Sequence, residues 1–150
     1  MSEVQGRVAL VTGGTRGIGE AISTGLKNAG RFVVANYAGN EHAAADFQER
    51  TSIPAMKFDV SDTDATEVAI PLIEETYVAV DILVNNAGVA GANMTTWEYT
   101  DEEWGQVMAI NLNGPFHCCR AIIPTMIKNG YGRIVNLSLI HISEPTRRTP

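Results

Sequence analysis

One short stretch limits the folds open to this chain more than any other. An apolar β-branched run, VALVT, passes directly into Thr12-Gly13-Gly14-Thr15-Arg16-Gly17-Ile18-Gly19 and then into a helical pattern. Strand, glycine turn and helix in that order open a βαβ unit, in which the backbone turns tightly and the helix start aims its N–H groups over the turn. The alternation continues along the chain. Apolar runs at residues 7–12, 31–36, 56–59, 82–85 and 132–136 read as strands, and helical patterns fall at 17–28, 41–49, 63–76, 100–109 and 115–128. Each strand is apolar on both faces, as a parallel sheet covered by helices requires. Right-handed crossovers then predict an α/β, doubly wound Rossmann sheet of strand order 3-2-1-4-5. Gly30 stops the first helix, Thr100 and Glu103 form a capping box, Ser61 is the expected cap of the third helix, and Pro71 is expected to kink or break that helix.

Charge narrows the partners. The 150 residues carry 11 Lys and Arg against 17 Asp and Glu, a net charge of −6, which lacks the basic footprint of a nucleic-acid binder or a polybasic membrane anchor. A small-molecule partner is expected, with no nucleic acid and no membrane. The first residues do not read as a secretory signal, and no apolar run approaches a membrane span. Cys118 and Cys119 are neighbours and cannot staple distant parts of the fold, so a reduced, cytoplasmic setting is expected. His42 and His117 lack a second ligand at metal-site spacing; they read as a surface and a core histidine, and no metal is expected.

The glycine turn is placed where a phosphate cradle belongs, so Gly13, Thr15, Arg16, Gly17, Ile18 and Gly19 are candidate cofactor contacts. A site that prefers NAD carries an acid at the end of the second strand, to bind the ribose 2′-hydroxyl. Here that position reads Ala35-Asn36-Tyr37-Ala38-Gly39-Asn40, and the first acid is Glu41. With Arg16 beside the glycines to meet a 2′-phosphate, NADP(H) is the expected cofactor, and Asn36 joins its candidate contacts. Asp59 ends a strand at the carboxyl edge of the sheet, where a carboxylate can accept from an adenine amino group, with Val60 beside it. At the same edge Asn85 and Asn86 can tie strand ends together, Ala87 follows, and Gly88 allows close approach of a nicotinamide ribose. Asn111 falls inside an apolar helical pattern, where a buried amide must find partners.

Taken together these residues resemble the short-chain dehydrogenase/reductase family from about Val4 to Ser138. The T-G-x-x-x-G-x-G spacing at Thr12 to Gly19 matches its cofactor turn, Asp59-Val60 its adenine-contacting pair, Asn85-Asn86-Ala87-Gly88 its N-N-A-G motif, and Asn111 its catalytic asparagine. Within the family the chain looks most like reductases that act on acetoacetyl-CoA in polyhydroxyalkanoate biosynthesis. The stretches that carry this are Val8 to Gly19, Asn36 to Asn40, Ile53-Pro54, Asp59-Val60-Ser61 and Gly132 to Asn136. The resemblance implies an oxidoreductase that uses NADP(H) on an acyl thioester and assembles as a homotetramer. Reductases of 3-oxoacyl groups on acyl carrier protein share the same motifs. Two departures stand out: Tyr77-Val78-Ala79 replaces a glycine-containing turn, and Val89 to Thr96 lacks the usual Ile-Thr-Arg-Asp.

The family pattern after the fifth strand has a catalytic serine as the second of a Ser-Ser pair, followed by Tyr-x-x-x-Lys. Here Leu139 follows Ser138, and no Tyr-x-x-x-Lys comes after it. The stretch LSLIHISEPTR, Leu137 to Arg147, resembles the in-frame translation of a sequencing adapter. The expected organisation is therefore the N-terminal part of a Rossmann domain, truncated, at residues 1–138, with an artefactual tail at 139–150. The parent protein is expected to be the enzyme and this chain an inactive fragment. The alternative is a fragment that binds nucleotide without catalysis.

Overall fold

A computed structural model of the chain describes residues 6–138, so the expected tail at 139–150 lies outside the described residues. Five parallel strands form one sheet of order β3-β2-β1-β4-β5. They are β1 (Val8–Val11), β2 (Phe32–Tyr37), β3 (Ala55–Lys57), β4 (Val80–Asn85) and β5 (Arg133–Asn136). The helices are α1 (Gly17–Asn28), α2 (Glu41–Thr51), α3 (Thr63–Tyr77), α4 (Asp101–Met108) and α5 (Gly114–Lys128). The predicted doubly wound topology is the one observed.

Alternation along β1 explains why its residues are all buried. Val8 and Leu10 face the layer of α3 and α5, where they meet Ile70, Ile73, Cys118 and Ile122. Ala9 and Val11 face the opposite layer, with Phe47 of α2 and Ile22 and Leu26 of α1. A strand flanked by strands and covered on both faces has no position for a charge. Strand β5 is different: its residues are exposed, and no strand lies beyond it among the described residues.

Four local features depart from expectation. Strand β4 starts earlier than expected because Asp81 is skipped in the register, Val8 pairing with Val80 and Ala9 with Ile82. The Asp81 carboxylate stabilises that irregularity by accepting from the Val8 N–H and pairing with Arg7. Helix α3 runs unbroken through Pro71, and its cap is Asp62, which accepts from the Ala65 N–H, in place of Ser61. Between α4 and α5 the chain stays helical through a π-turn, Ala109–Asn113, so the two patterns form one interrupted helical segment. Val78, at the end of α3, has φ of +137°, a conformation costly for a β-branched residue.

Candidate functional site

The site forms where β1, β2, β3 and β4 end. At its centre Gly13 and Gly19 pack backbone against backbone: a Cβ on Gly19 would sit 2.1 Å from the Gly13 carbonyl oxygen. No other residue fits there. The Thr12 hydroxyl accepts from the N–H groups of Asn86 and Ala87, both at 3.0 Å. In return Asn86 Nδ2 donates to the carbonyls of Thr12 (2.8 Å) and Gly13 (3.2 Å). Asn86 thus clasps the glycine turn to the β4 end. Asn85 makes the corresponding tie to β5, donating from Nδ2 to Asn136 Oδ1 at 2.7 Å.

Asn36 lies inside this scaffold. It is 2% exposed, its Oδ1 accepts from the Gly13 N–H, and its Nδ2 donates to the carbonyls of Phe58 and Tyr37. With these bonds made, its side chain shapes the turn from beneath and presents no free polar atom above it. Ser23, on the buried face of α1, donates to the Gly14 carbonyl at 3.0 Å and holds the turn from the helix side. Sequence reasoning passed over Ser23 and the Thr12 hydroxyl. The available signal for Ser23 was its i,i+4 spacing from Gly19 on a buried stripe.

Above the turn the backbone is open. Gly17 has φ of +53°, and a Cβ built on it meets nothing within 4 Å. Helices α2, α3 and α4 are capped by the side chains of Asn40, Asp62 and Thr100, whereas α1 starts at Arg16 with no side-chain cap. Uncapped N–H groups beside open space suit an anion. Thr15 is buried next to Gly14, while Arg16 and Ile18 are exposed at the lip. Arg16 makes no ion pair among the described residues. Glu41, the first acid after β2, pairs with Lys57 at 2.5 Å, which holds its carboxyl below the usual carboxylate range.

A second polar group lies at the end of β3. Asp59 is exposed, and its Oδ1 accepts from both the N–H (2.8 Å) and the hydroxyl (2.7 Å) of Ser61. Its Oδ2 has no hydrogen bond among the described residues, and neither does the Val60 N–H. A free acceptor and a free donor on adjacent residues complement the amino-and-ring-nitrogen edge of adenine.

The loop after β4 is fixed from the helical side. Asn111 Oδ1 accepts from the Val89 N–H at 2.9 Å and its Nδ2 donates to the Val89 carbonyl at 2.8 Å. The residue is exposed and on the π-turn, not buried within an α-helix as its pattern suggested. Such turns recur at functional sites because they aim one side chain out of register. Gly88 is held close beneath it, a Cβ there standing 3.2 Å from Asn111 Oδ1. Further along, Tyr99 donates to the Ala92 carbonyl at 2.9 Å and covers Gly91, whose φ is +75°. Trp97 and Trp104 are exposed, Trp97 to 85%.

These features describe an α/β domain with an open glycine turn at the uncapped start of α1, a free acceptor and donor at the β3 end on one side of it, and a clamped loop at the β4 end on the other. The comparisons with known proteins give the family. The short chain dehydrogenase model matches residues 7–147, and the chain belongs to that family. The match runs through the whole adapter-like stretch, 137–147, so the comparisons lend no support to an adapter there. The chain is 47% identical over 135 residues to the acetoacetyl-CoA reductase of Rhizobium meliloti (strain 1021), covering 90% of this chain and 56% of that protein. It is 46% identical to the acetoacetyl-CoA reductase of Paracoccus denitrificans, with 90% and 55% covered. A short-chain dehydrogenase from Streptomyces avermitilis superposes with a TM-score of 0.83 at 32% identity, over 92% of this chain and 50% of that one. The chain thus spans about half the length of the curated relatives it matches. Members of this family typically bind NAD(P)(H), and the open cradle over Gly17 and the Asp59–Val60 edge fit such a dinucleotide. No group of three or more His, Cys, Asp or Glu that could hold a metal occurs among the described residues, and none of their helices is long and apolar enough to cross a membrane.

Proposed function

We propose that the full-length gene product is an NADPH-dependent reductase of 3-oxoacyl thioesters, converting acetoacetyl-CoA to (R)-3-hydroxybutyryl-CoA. The observation that carries this reading is the 47% identity to a curated acetoacetyl-CoA reductase. In this reading NADPH, when bound, supplies the hydride that reduces C3 of the substrate. Gly17 and the uncapped start of α1 hold its diphosphate, Asp59 and Val60 read its adenine, and Arg16 meets its 2′-phosphate. Preference for the phosphorylated cofactor rests on the absence of a free acid at the β2 end, since Glu41 is held by Lys57. Asn111 fixes the Val89 backbone at the substrate side, and the tyrosine–lysine pair expected of the family donates the proton. The exposed Trp104, Leu112 and Phe116 on α4, the π-turn and α5 support assembly into a homotetramer, in a cytoplasm that keeps Cys118 and Cys119 reduced.

The test is disappearance of nicotinamide absorbance with the purified full-length gene product, using acetoacetyl-CoA and the same acyl group on acyl carrier protein. Turnover of the CoA thioester with NADPH in preference to NADH is expected. Arg16→Ala should raise KM for NADPH about tenfold and leave that for NADH nearly unchanged. No turnover of either thioester would overturn the reading. Faster turnover of the carrier-protein substrate would favour the second reading, a reductase of 3-oxoacyl groups on acyl carrier protein. Leu139 after Ser138 supports a further proposal, that 139–150 is an adapter-derived tail on a nucleotide-binding fragment. Sequencing the locus across codon 136 tests it: a Ser-Ser pair followed by Tyr-x-x-x-Lys supports the tail reading, and LIHISEPTR in genomic DNA refutes it.

A further inference from the structure

The geometry points to His117 as a positioning residue for adenine recognition, acting on Asp59 through the peptide unit that joins Val60 and Ser61. This rests on the nucleotide-binding reading of the site. His117 is half-buried on α5, with Nδ1 2.9 Å from the Val60 carbonyl oxygen and Nε2 3.0 Å from the Thr63 hydroxyl. A carbonyl only accepts, so Nδ1 carries a proton; in the neutral ring Nε2 then accepts from Thr63. Both ring nitrogens are engaged and the imidazole is fixed at the first turn of α3.

The Val60 carbonyl and the Ser61 N–H belong to one planar peptide unit. His117 grips that unit at its oxygen, and its N–H grips Asp59 Oδ1 at 2.8 Å. Rotation of the imidazole therefore rotates the donor that orients the carboxylate. A carbonyl that accepts a hydrogen bond also polarises its N–H into a better donor. The plane has little room to tilt otherwise, because the Val60 side chain lies against Gly114: a Cβ there would be 2.7 Å from Val60 Cγ2. What the arrangement leaves without a hydrogen bond among the described residues is the pair Asp59 Oδ2 and the Val60 N–H.

The experiment is calorimetric titration of the full-length gene product with NADPH, adenosine 2′,5′-bisphosphate and reduced nicotinamide mononucleotide. His117→Leu should weaken NADPH and the adenosine ligand alike, by about tenfold, and leave the mononucleotide unchanged. Because His117 acts through Asp59, the double variant with Asp59→Ala should bind the adenosine ligand no more weakly than Asp59→Ala alone. Additive losses would show a general packing role and overturn the proposal. Should His117→Leu fail to fold, His117→Asn and His117→Gln make the comparison. Asparagine places an N–H near the position of Nδ1 and should retain affinity, whereas glutamine places one near Nε2 and should not. Equal affinities of those two variants overturn the inference. If the unsubstituted protein binds NADPH but all three variants bind it equally well, only the role of His117 is refuted; if it binds no adenosine ligand, the nucleotide reading falls and this inference with it.

Discussion

Gly17 and Gly19 occupy the same turn for different reasons, and alanine at each separates them. At Gly17 a methyl group would stand in open space, so the folded protein loses only what a left-handed φ of +53° costs an L residue. That is about 1–2 kcal/mol. For a full-length domain of this family it lowers Tm by roughly 2–8 °C. The same methyl group would fill the space over the uncapped N–H groups of α1, where the diphosphate is expected. Losing one charge-assisted hydrogen bond there is worth about 1.5–3 kcal/mol, so Kd for NADPH should rise by roughly 10- to 150-fold. At Gly19 a Cβ would meet the Gly13 carbonyl oxygen at 2.1 Å and Asn86 Nδ2 at 2.6 Å. The turn must open by about an ångström to restore van der Waals separation, which breaks the Asn86 clasp and lowers Tm further. The assay is a thermal melt of each variant with and without NADPH. Gly17→Ala should melt only slightly lower and lose most of the stabilisation by NADPH, whereas Gly19→Ala should melt well below it. Full retention of NADPH stabilisation in Gly17→Ala would refute the cradle.

Three further outcomes are expected. Val78→Gly should raise thermal stability, because relief of a β-branched residue at φ of +137° is worth about 1–3 kcal/mol against about 0.5–1 kcal/mol of added chain entropy; a lower Tm would contradict the strain. Asn111→Ala removes both bonds to the Val89 backbone and should lower Tm by a few degrees while exposing the loop after β4 to limited proteolysis, read as new cleavage products around residues 88–94. Burial pushes the Cys118 thiol up from 9.0 to about 12, so the unfolded chain releases this proton first as pH rises. The contribution of Cys118 is therefore flat below its unfolded value and falls from about pH 9 towards 12, and Cys118→Ala should flatten the alkaline limb of a stability–pH curve.

The strand order was legible because five apolar runs separated by helical patterns leave few topologies once crossovers are right-handed. The glycine turn was legible because spacing and context agree. Other details depend on choices the sequence holds in near balance. Asp59, Ser61 and Asp62 are all good caps within four residues, and only the fold decides that Asp62 caps α3 while Ser61 bonds Asp59. Asn36 looked like a ligand contact because it stands at the β2 end. Alternation puts it on the face of Val34, and a polar side chain on a buried face reads as an internal bond-maker. The π-turn was hidden because apolar periodicity reports which face of a helix is buried and says little about a single residue inserted into its winding.

That inserted turn is also what lets one helical segment serve both ends of the site. Asn111, on the π-turn, holds the loop after β4, while Gly114 and His117, on the first turn of α5, bear on the loop after β3. An uninterrupted α-helix advances each side chain by 100°, so widening the winding at Ala109–Asn113 re-aims Asn111 relative to residues farther along. Two loops at opposite ends of the candidate site thus take their positions from one rigid element. Restoring regular winding by deleting one residue of the π-turn should disturb both loops together, loosening Val89 and Val60 in the same variant. Loss of hydrogen-exchange protection confined to one of them would show that they are set independently.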